Sequence, residues 1–192
     1  NLFNFRLNLI KKLKKKYEII ILVNRNEDYA KILKKNGFEL HFIHLNSRSR
    51  NVIENLLLLK DFYFIFKKIK PDYFLGFTIK PNIFGSIIAN LFNVKIINNI
   101  TGLGNSFIKG GIIKFIIMNL YRIALKKSKI IFFHNISDQL IFINNNITSY
   151  NNSCVIPGSG IDLNKYKYFE LRENKKKFNF LYFGRIITDK GI

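Results

Sequence analysis

The chain has 192 residues, 48% hydrophobic and 15% aromatic, with 32 Lys+Arg against 12 Asp+Glu for a formal charge of +20. That content of core-forming side chains excludes intrinsic disorder and fits one ordinary domain, or one domain with part of another. The positive field favours polyanions, phosphorylated ligands or an anionic membrane surface, and Cys154, the sole cysteine, excludes an internal disulfide and makes a reducing cytosolic setting the default.

The first segment, LFNFRLNLIKKLKKKY (2–17), has Phe3, Leu7, Ile10 and Leu13 on one helical face, with Lys11, Lys12 and Lys14 to Lys16 elsewhere. The apolar run EIIILV (18–23) reads as a strand, EDYAKILKKNG (27–37) as a short helix ended by Gly37, and ELHFI (39–43) as a second strand. A long helix follows over 51–70 and stops at Pro71. DYFLG (72–76), VKIINNI (94–100) and KIIFF (129–133) are further strands, separated by a helix opening at Pro81 and another from about Gly111. These runs do not alternate cleanly with polar residues, which is how strands buried on both faces read. Helix and strand in alternation predict an α/β fold: an open parallel Rossmann-like sheet with helices on both faces.

Because the chain opens in a helix, the first strand of such a domain and the loop after it are expected to be missing. Residues 1–157 are assigned to that domain and the polar stretch 158–177 to a linker. Residues 178–192, opening on FNFLYFG, are read as the first strand of a truncated second domain. Asn1 in place of methionine and the abrupt end on FGRIITDKGI are what a piece open at both sides would show. No charged n-region precedes an apolar stretch near the start, and the oiliest run, GIIKFIIMNLYRIALKK (111–127), is broken by Lys114, Asn119 and Arg122.

Several loops carry residues suited to anions, each with an ordinary alternative. FTIKPN (77–82) sets Thr78 and Lys80 at a strand end just before a helix, where a lysine opposes the macrodipole unless an anion lies between; Lys80 pointing into water accounts for it equally. TGLGNS (101–106) offers Gly102 and Gly104 for close backbone approach to a phosphate or sugar, although a tight turn is the commoner cause of a lone G-x-G. In HNISDQ (134–139), Asn135 or Ser137 can cap the next helix, and that alone would explain them. FGRIITDKGI (183–192) would place Arg185 and Lys190 at the carboxyl end of a strand, where open α/β folds bind ligands. On spacing alone a solvated turn is preferred there. The helix after Gly111 has Lys114, Arg122 and Lys126 along an otherwise oily surface, which suits a headgroup boundary as well as a helix half-buried on the sheet. No H-x-E, H-E-x-x-H or C-x-x-C pair occurs, so no metal site is assigned; His41 and His44 have no partner spacing, and His134 could act as an acid or base, although a lone histidine at a strand end is usually structural.

Taken together, NFRLNLIKKL, FTIKPNIFGSIIAN, NNITGLGNSF, FFHNISDQ, VIPGSGIDLNKY and FLYFGRIITDKGI resemble, in order and across nearly the whole chain, the family 4 retaining glycosyltransferases of GT-B architecture. The nearest likeness is to bacterial enzymes that extend sugars on polyprenyl-diphosphate carriers. The resemblance implies two Rossmann-like domains facing across a cleft, one for the acceptor and one for a nucleotide-diphosphate sugar, with no metal or other cofactor. It implies that Gly184, Arg185 and Lys190 contact the donor diphosphate, and that Thr78, Lys80, Thr101, Gly102, Gly104 and Asn135 line the acceptor side. The partners implied are a nucleotide sugar, a polyprenyl-diphosphate-linked acceptor and the anionic inner face of the cytoplasmic membrane. The function implied is transfer of an N-acetylhexosamine or hexose, with retention, in polysaccharide, lipopolysaccharide or protein-glycan synthesis. The family's paired-glutamate motif would lie beyond Ile192, so these residues alone are expected to lack activity. An epimerase of the same architecture is the alternative. A basic nucleic-acid-binding module is disfavoured, because the aromatics sit in buried-type runs and do not interleave with Arg and Lys.

Overall fold

The computed structural model describes residues 2–24, 29–46, 49, 51–104, 111–170, 180–184 and 186. Among them the chain runs α1 (Leu2–Lys14), β1 (Ile20–Asn24), α2 (Ala30–Lys35), β2 (Glu39–Ile43), α3 (Val52–Ile69) and β3 (Tyr73–Phe77). A π-helical turn (Pro81–Gly85) then leads into α4 (Ser86–Leu91), β4 (Lys95–Ile100), α5 (Gly111–Leu125), β5 (Ser128–Phe133), α6 (Ile136–Asn144) and β6 (Ser153–Val155). All strand pairs are parallel, in two ladders ordered β1-β2 and β3-β4-β5-β6. The expected open parallel α/β architecture is therefore present. Its described strands form two separate parallel ladders, one of two strands and one of four.

Local chemistry explains the helix ends. Asn51 caps α3 by accepting the Ile53 N–H at 2.8 Å, and Lys70 closes it in the left-handed region (φ 53°), just ahead of Pro71. Asn135 caps α6 by accepting the Asp138 N–H at 2.7 Å.

Strand parity sorts the side chains. Phe74 of β3, Ile96 and Ile100 of β4, and Ile131 and Phe133 of β5 are buried on one face, against Phe62 and Phe66 of α3, Ile88 of α4, Tyr121 and Leu125 of α5 and Phe142 of α6. Each such side chain contributes roughly 1.5–3 kcal/mol by leaving water. Ile21 and Val23 of β1 pack instead with Ile10 of α1, Leu33 of α2 and Phe38. Helices thus cover both faces.

Inside the first face lies a polar cluster. Asn98 Nδ2 donates to Asn82 Oδ1 (3.0 Å) and Ser86 Oγ (2.9 Å), while Ser128 Oγ donates to Asn98 Oδ1 (2.7 Å). Asn82 Nδ2 in turn donates to the Asn99 carbonyl at 2.9 Å. All four side chains are buried. Gly76 makes room for them, since a Cβ there would run into the Asn82 carboxamide.

Asn1–Gly160 and Ile161–Ile192 are separate units. In the second, Asp162 organises a turn, accepting the Asn164 N–H on its side chain (3.0 Å) and the Tyr166 N–H on its carbonyl (2.9 Å). Of the strand expected over 178–184, residues 180–184 are described and are not in strand, with Phe180 and Phe183 each 98% exposed. An extended segment acquires a ladder only when a second strand takes up its N–H and C=O groups.

Replacing Asn98 with Ala strips Asn82 Oδ1, Ser86 and Ser128 of a buried partner. With about 1–3 kcal/mol for each buried polar group left unsatisfied, a loss of roughly 2–4 kcal/mol in urea unfolding is expected; a loss near zero would show that the cluster is incidental.

Candidate functional site

The carboxyl ends of β3, β4 and β5 lie side by side, because Phe77 pairs with Asn99 and Asn99 with Phe132. The loops leaving these ends carry the residues singled out from sequence. Thr78 follows β3 in the left-handed region at φ 68°. A β-branched residue adopts that conformation at a cost of order 1–3 kcal/mol, and such strain clusters at functional sites. Its carbonyl accepts the Asn82 N–H at 3.1 Å, so the strained residue turns the chain from strand into helix within a few residues. Lys80, half-buried, stands in that first turn.

After β4, Thr101 is exposed, and Gly102 (φ 148°) and Gly104 (φ 69°) bend the chain back. A Cβ on Gly104 would come within 3.2 Å of Ile79 Cδ1, so this loop lies directly against the one carrying Thr78 and Lys80. The structure thus brings those two loops together. Asn135 is a helix cap with both polar atoms engaged: besides accepting the Asp138 N–H, its Nδ2 donates to Asp138 Oδ2 at 2.9 Å. Gly184 belongs to the second unit, whereas Arg185 and Lys190 lie outside the described residues.

Three groups that sequence reasoning passed over, or left without a role, stand at the same edge. Arg6 of α1 is buried, with its guanidinium carbon 4.8 Å from the centroid of the Phe77 ring. Burial pushes its pKa below the usual arginine value. Glu54, in the first turn of α3, has a buried Oε2 with no hydrogen-bond partner among the described residues. Its charge opposes the larger effect of burial, which pulls the Lys80 ammonium below the ordinary lysine range. His134 follows β5; its pKa is lowered by burial and then by the Arg6 charge, against a smaller upward pull from Asp138. The other two histidines have local partners, His41 with Glu39 and His44 with Asp61, each through the ring. Among the described residues no cluster of His, Cys, Asp or Glu could hold a metal ion, and no helix is long and apolar enough to cross a membrane.

The strand edge of this parallel α/β unit is basic and partly desolvated, a setting whose potential favours anions. The profile of the glycosyl transferase 4-like family matches residues 2–135, and the chain belongs to that family. It is also 25% identical, over 99% of its length, to the N,N'-diacetylbacillosaminyl-diphospho-undecaprenol alpha-1,3-N-acetylgalactosaminyltransferase of Campylobacter jejuni, of which it spans 51%. Two solved structures share the fold. MurG of Acinetobacter baumannii superposes with a TM-score of 0.51 at 14% identity, over 89% of this chain and 42% of that one. HepE of Anabaena, solved with UDP and glucose, gives 0.55 at 12% identity, over 77% and 38%.

The lowered pKa of His134 predicts a pH dependence. The unfolded chain takes up this proton at a higher pH than the folded one, so the contribution to stability is complete above the ordinary histidine value of 6.5 and is lost as pH falls below it. Urea unfolding across that range should show His134→Gln removing part of the acid slope; an unchanged slope would contradict the assigned environment.

Proposed function

We propose that the whole protein transfers an N-acetylhexosamine or hexose from a nucleotide-diphosphate sugar to a polyprenyl-diphosphate-linked acceptor, with retention, in glycan biosynthesis. The observation that carries this reading is the alignment of nearly the entire chain with a transferase whose name specifies an undecaprenyl-diphosphate-linked acceptor. The strand-end geometry supports it. Thr78, Lys80, Thr101, Gly102 and Gly104 supply backbone N–H groups, hydroxyls and a cation for a phosphorylated sugar at the carboxyl edge of the first unit.

The donor diphosphate falls to Gly184, Arg185 and Lys190. Arginine presents a planar fork that matches two phosphate oxygens, and lysine adds a mobile point charge. As the bond between the sugar and the diphosphate breaks, negative charge accumulates on the departing oxygen, and an arginine and a lysine beside it would stabilise that charge. No metal is required by this arrangement. Arg185→Ala in the whole protein should lower kcat by a factor on the order of 10²–10³, with a smaller change in the donor KM. A kcat within a few-fold of wild type in steady-state assays would remove Arg185 from the diphosphate site.

The site of action is the inner membrane surface. The buried side of α5 carries Met118, Tyr121, Ala124 and Leu125, yet its opposite side is also apolar: Ile112, Phe115, Ile116 and Ile123 are all exposed, flanked by Arg122 and Lys126. An oily face bordered by cations matches an acyl–headgroup boundary. Phe115→Glu with Ile116→Glu should weaken sedimentation with phosphatidylglycerol vesicles by roughly tenfold or more, while phosphatidylcholine vesicles capture neither form. Equal capture of wild type and variant by the anionic vesicles would place the contact elsewhere.

A further inference from the structure

Arg6 is out of keeping with its helix. Lys11, Lys12 and Lys14 of α1 are exposed, whereas Arg6 is only 6% exposed. Among the described residues its guanidinium has no carboxylate or carbonyl partner, and what it touches is the face of Phe77. A cation–ring contact is worth about 0.5–2 kcal/mol, less than the several kcal/mol it takes to withdraw an ion from water. A ring face accepts no conventional hydrogen bond, so the guanidinium N–H donors are available to a ligand.

Two acceptor-capable atoms, Asn99 Oδ1 and His134 Nε2, are buried with no hydrogen-bond partner among the described residues. The register puts them on the same side of the sheet as Phe77: Phe77 pairs with Asn99, Asn99 pairs with Phe132, and His134 is two residues beyond Phe132. The positive charge of Arg6 also acts on His134, lowering its pKa. None of the three satisfies another. Donors on Arg6 call for anionic oxygens, the Asn99 carbonyl calls for a hydroxyl or N–H, and a neutral imidazole offers an acceptor or a donor according to its tautomer.

We infer that Arg6, Asn99 and His134 form a binding subsite for a glycosyl phosphate group, with the phosphate oxygens on the Arg6 guanidinium and sugar hydroxyls on Asn99 and His134. The choice of a sugar phosphate over other hydroxylated anions rests on the transferase reading above, while the placement of the three residues and the unmet hydrogen bonds of Asn99 and His134 come from the structure. A glycosyl phosphate can arrive as part of a sugar nucleotide or as part of a lipid-linked sugar, and the subsite chemistry is the same for both.

The test is calorimetric titration of the protein with α-glucose 1-phosphate. Wild type is expected to bind it more tightly than inorganic phosphate. Arg6→Gln should lose roughly tenfold or more in affinity, a change of about 1.4 kcal/mol, and Arg6→Lys should fall between. Asn99→Ala should erase the preference for the sugar phosphate over phosphate. The His134 ring, followed by NMR, should titrate at higher pH when the ligand is bound, because an anion then sits beside it; a merely structural Arg6 would not produce that shift. Competition by UDP-glucose or by farnesyl diphosphate identifies the source.

Absence of α-glucose 1-phosphate binding, unchanged affinity in Arg6→Gln, or displacement by neither competitor overturns the inference. Should Arg6→Gln fail to fold, phenylglyoxal labelling of wild type substitutes: bound ligand should shield Arg6, and equal labelling with and without ligand is a negative result. Sugar transfer by the whole protein is assayed separately. Transfer without sugar-phosphate binding here sinks the subsite alone, whereas binding without transfer sinks the transferase reading.

Discussion

The architecture of the strand edge depends on the hydrogen bonds of Asn98. Its carboxamide is the only group that reaches the turn after β3, the start of α4 and the start of β5 at once, through Asn82, Ser86 and Ser128 among the described residues. Buried amides are costly when unpaired and rigidifying when satisfied. Here Asn82 is bound to Asn98 on one side and to the Asn99 carbonyl on the other, so the turn holding Thr78 and Lys80 is locked to the adjacent strand. The same lock allows Thr78 to remain at φ 68°, because the surroundings fix a conformation the residue would otherwise leave.

Charge is then laid over this frame. Arg6 reaches the edge from α1, Lys80 from the turn after β3, Glu54 from the first turn of α3 and His134 from the end of β5. Burial disfavours the charged forms of Arg6, Lys80 and His134 alike, since each has its pKa lowered. An anionic ligand reverses that penalty by supplying counter-charge in a region poor in water. Such groups need little reorganisation when a phosphate arrives, which is the property a transferase needs for positioning its substrates.

Much of the fold was legible because apolar runs bounded by turn residues are a strong signal. EIIILV, ELHFI, DYFLG, VKIINNI and KIIFF all became parallel strands. Ser153–Val155 escaped notice: a three-residue strand containing Ser and Cys has no periodicity to detect, and it forms because β5 offers it an edge. The π-helical turn at Pro81–Gly85 and the positive φ of Thr78 were invisible for a related reason, since neither follows from local propensity, and Asn82 in that turn is tied to Asn98 of another element. The proximity of the two loops carrying Lys80 and Gly104 was accessible from the rule that ligands meet parallel sheets at their carboxyl ends. Arg6 was not. In a chain with 32 basic residues one arginine on a lysine-rich helix looks like surface, and only tertiary packing over Phe77 sets it apart.

On the proposed reading, a lipid-linked sugar phosphate docks at the carboxyl ends of β3, β4 and β5. A photoreactive polyprenyl-diphosphate sugar, with the reactive group on the sugar, tests it most directly when its cross-links are mapped by peptide mass spectrometry. Labelling should concentrate in peptides containing Thr78–Lys80 and Thr101–Gly104, and excess unlabelled acceptor should suppress it. Competable labelling at the opposite ends of these strands, around Asp72 and Lys95, would contradict the account.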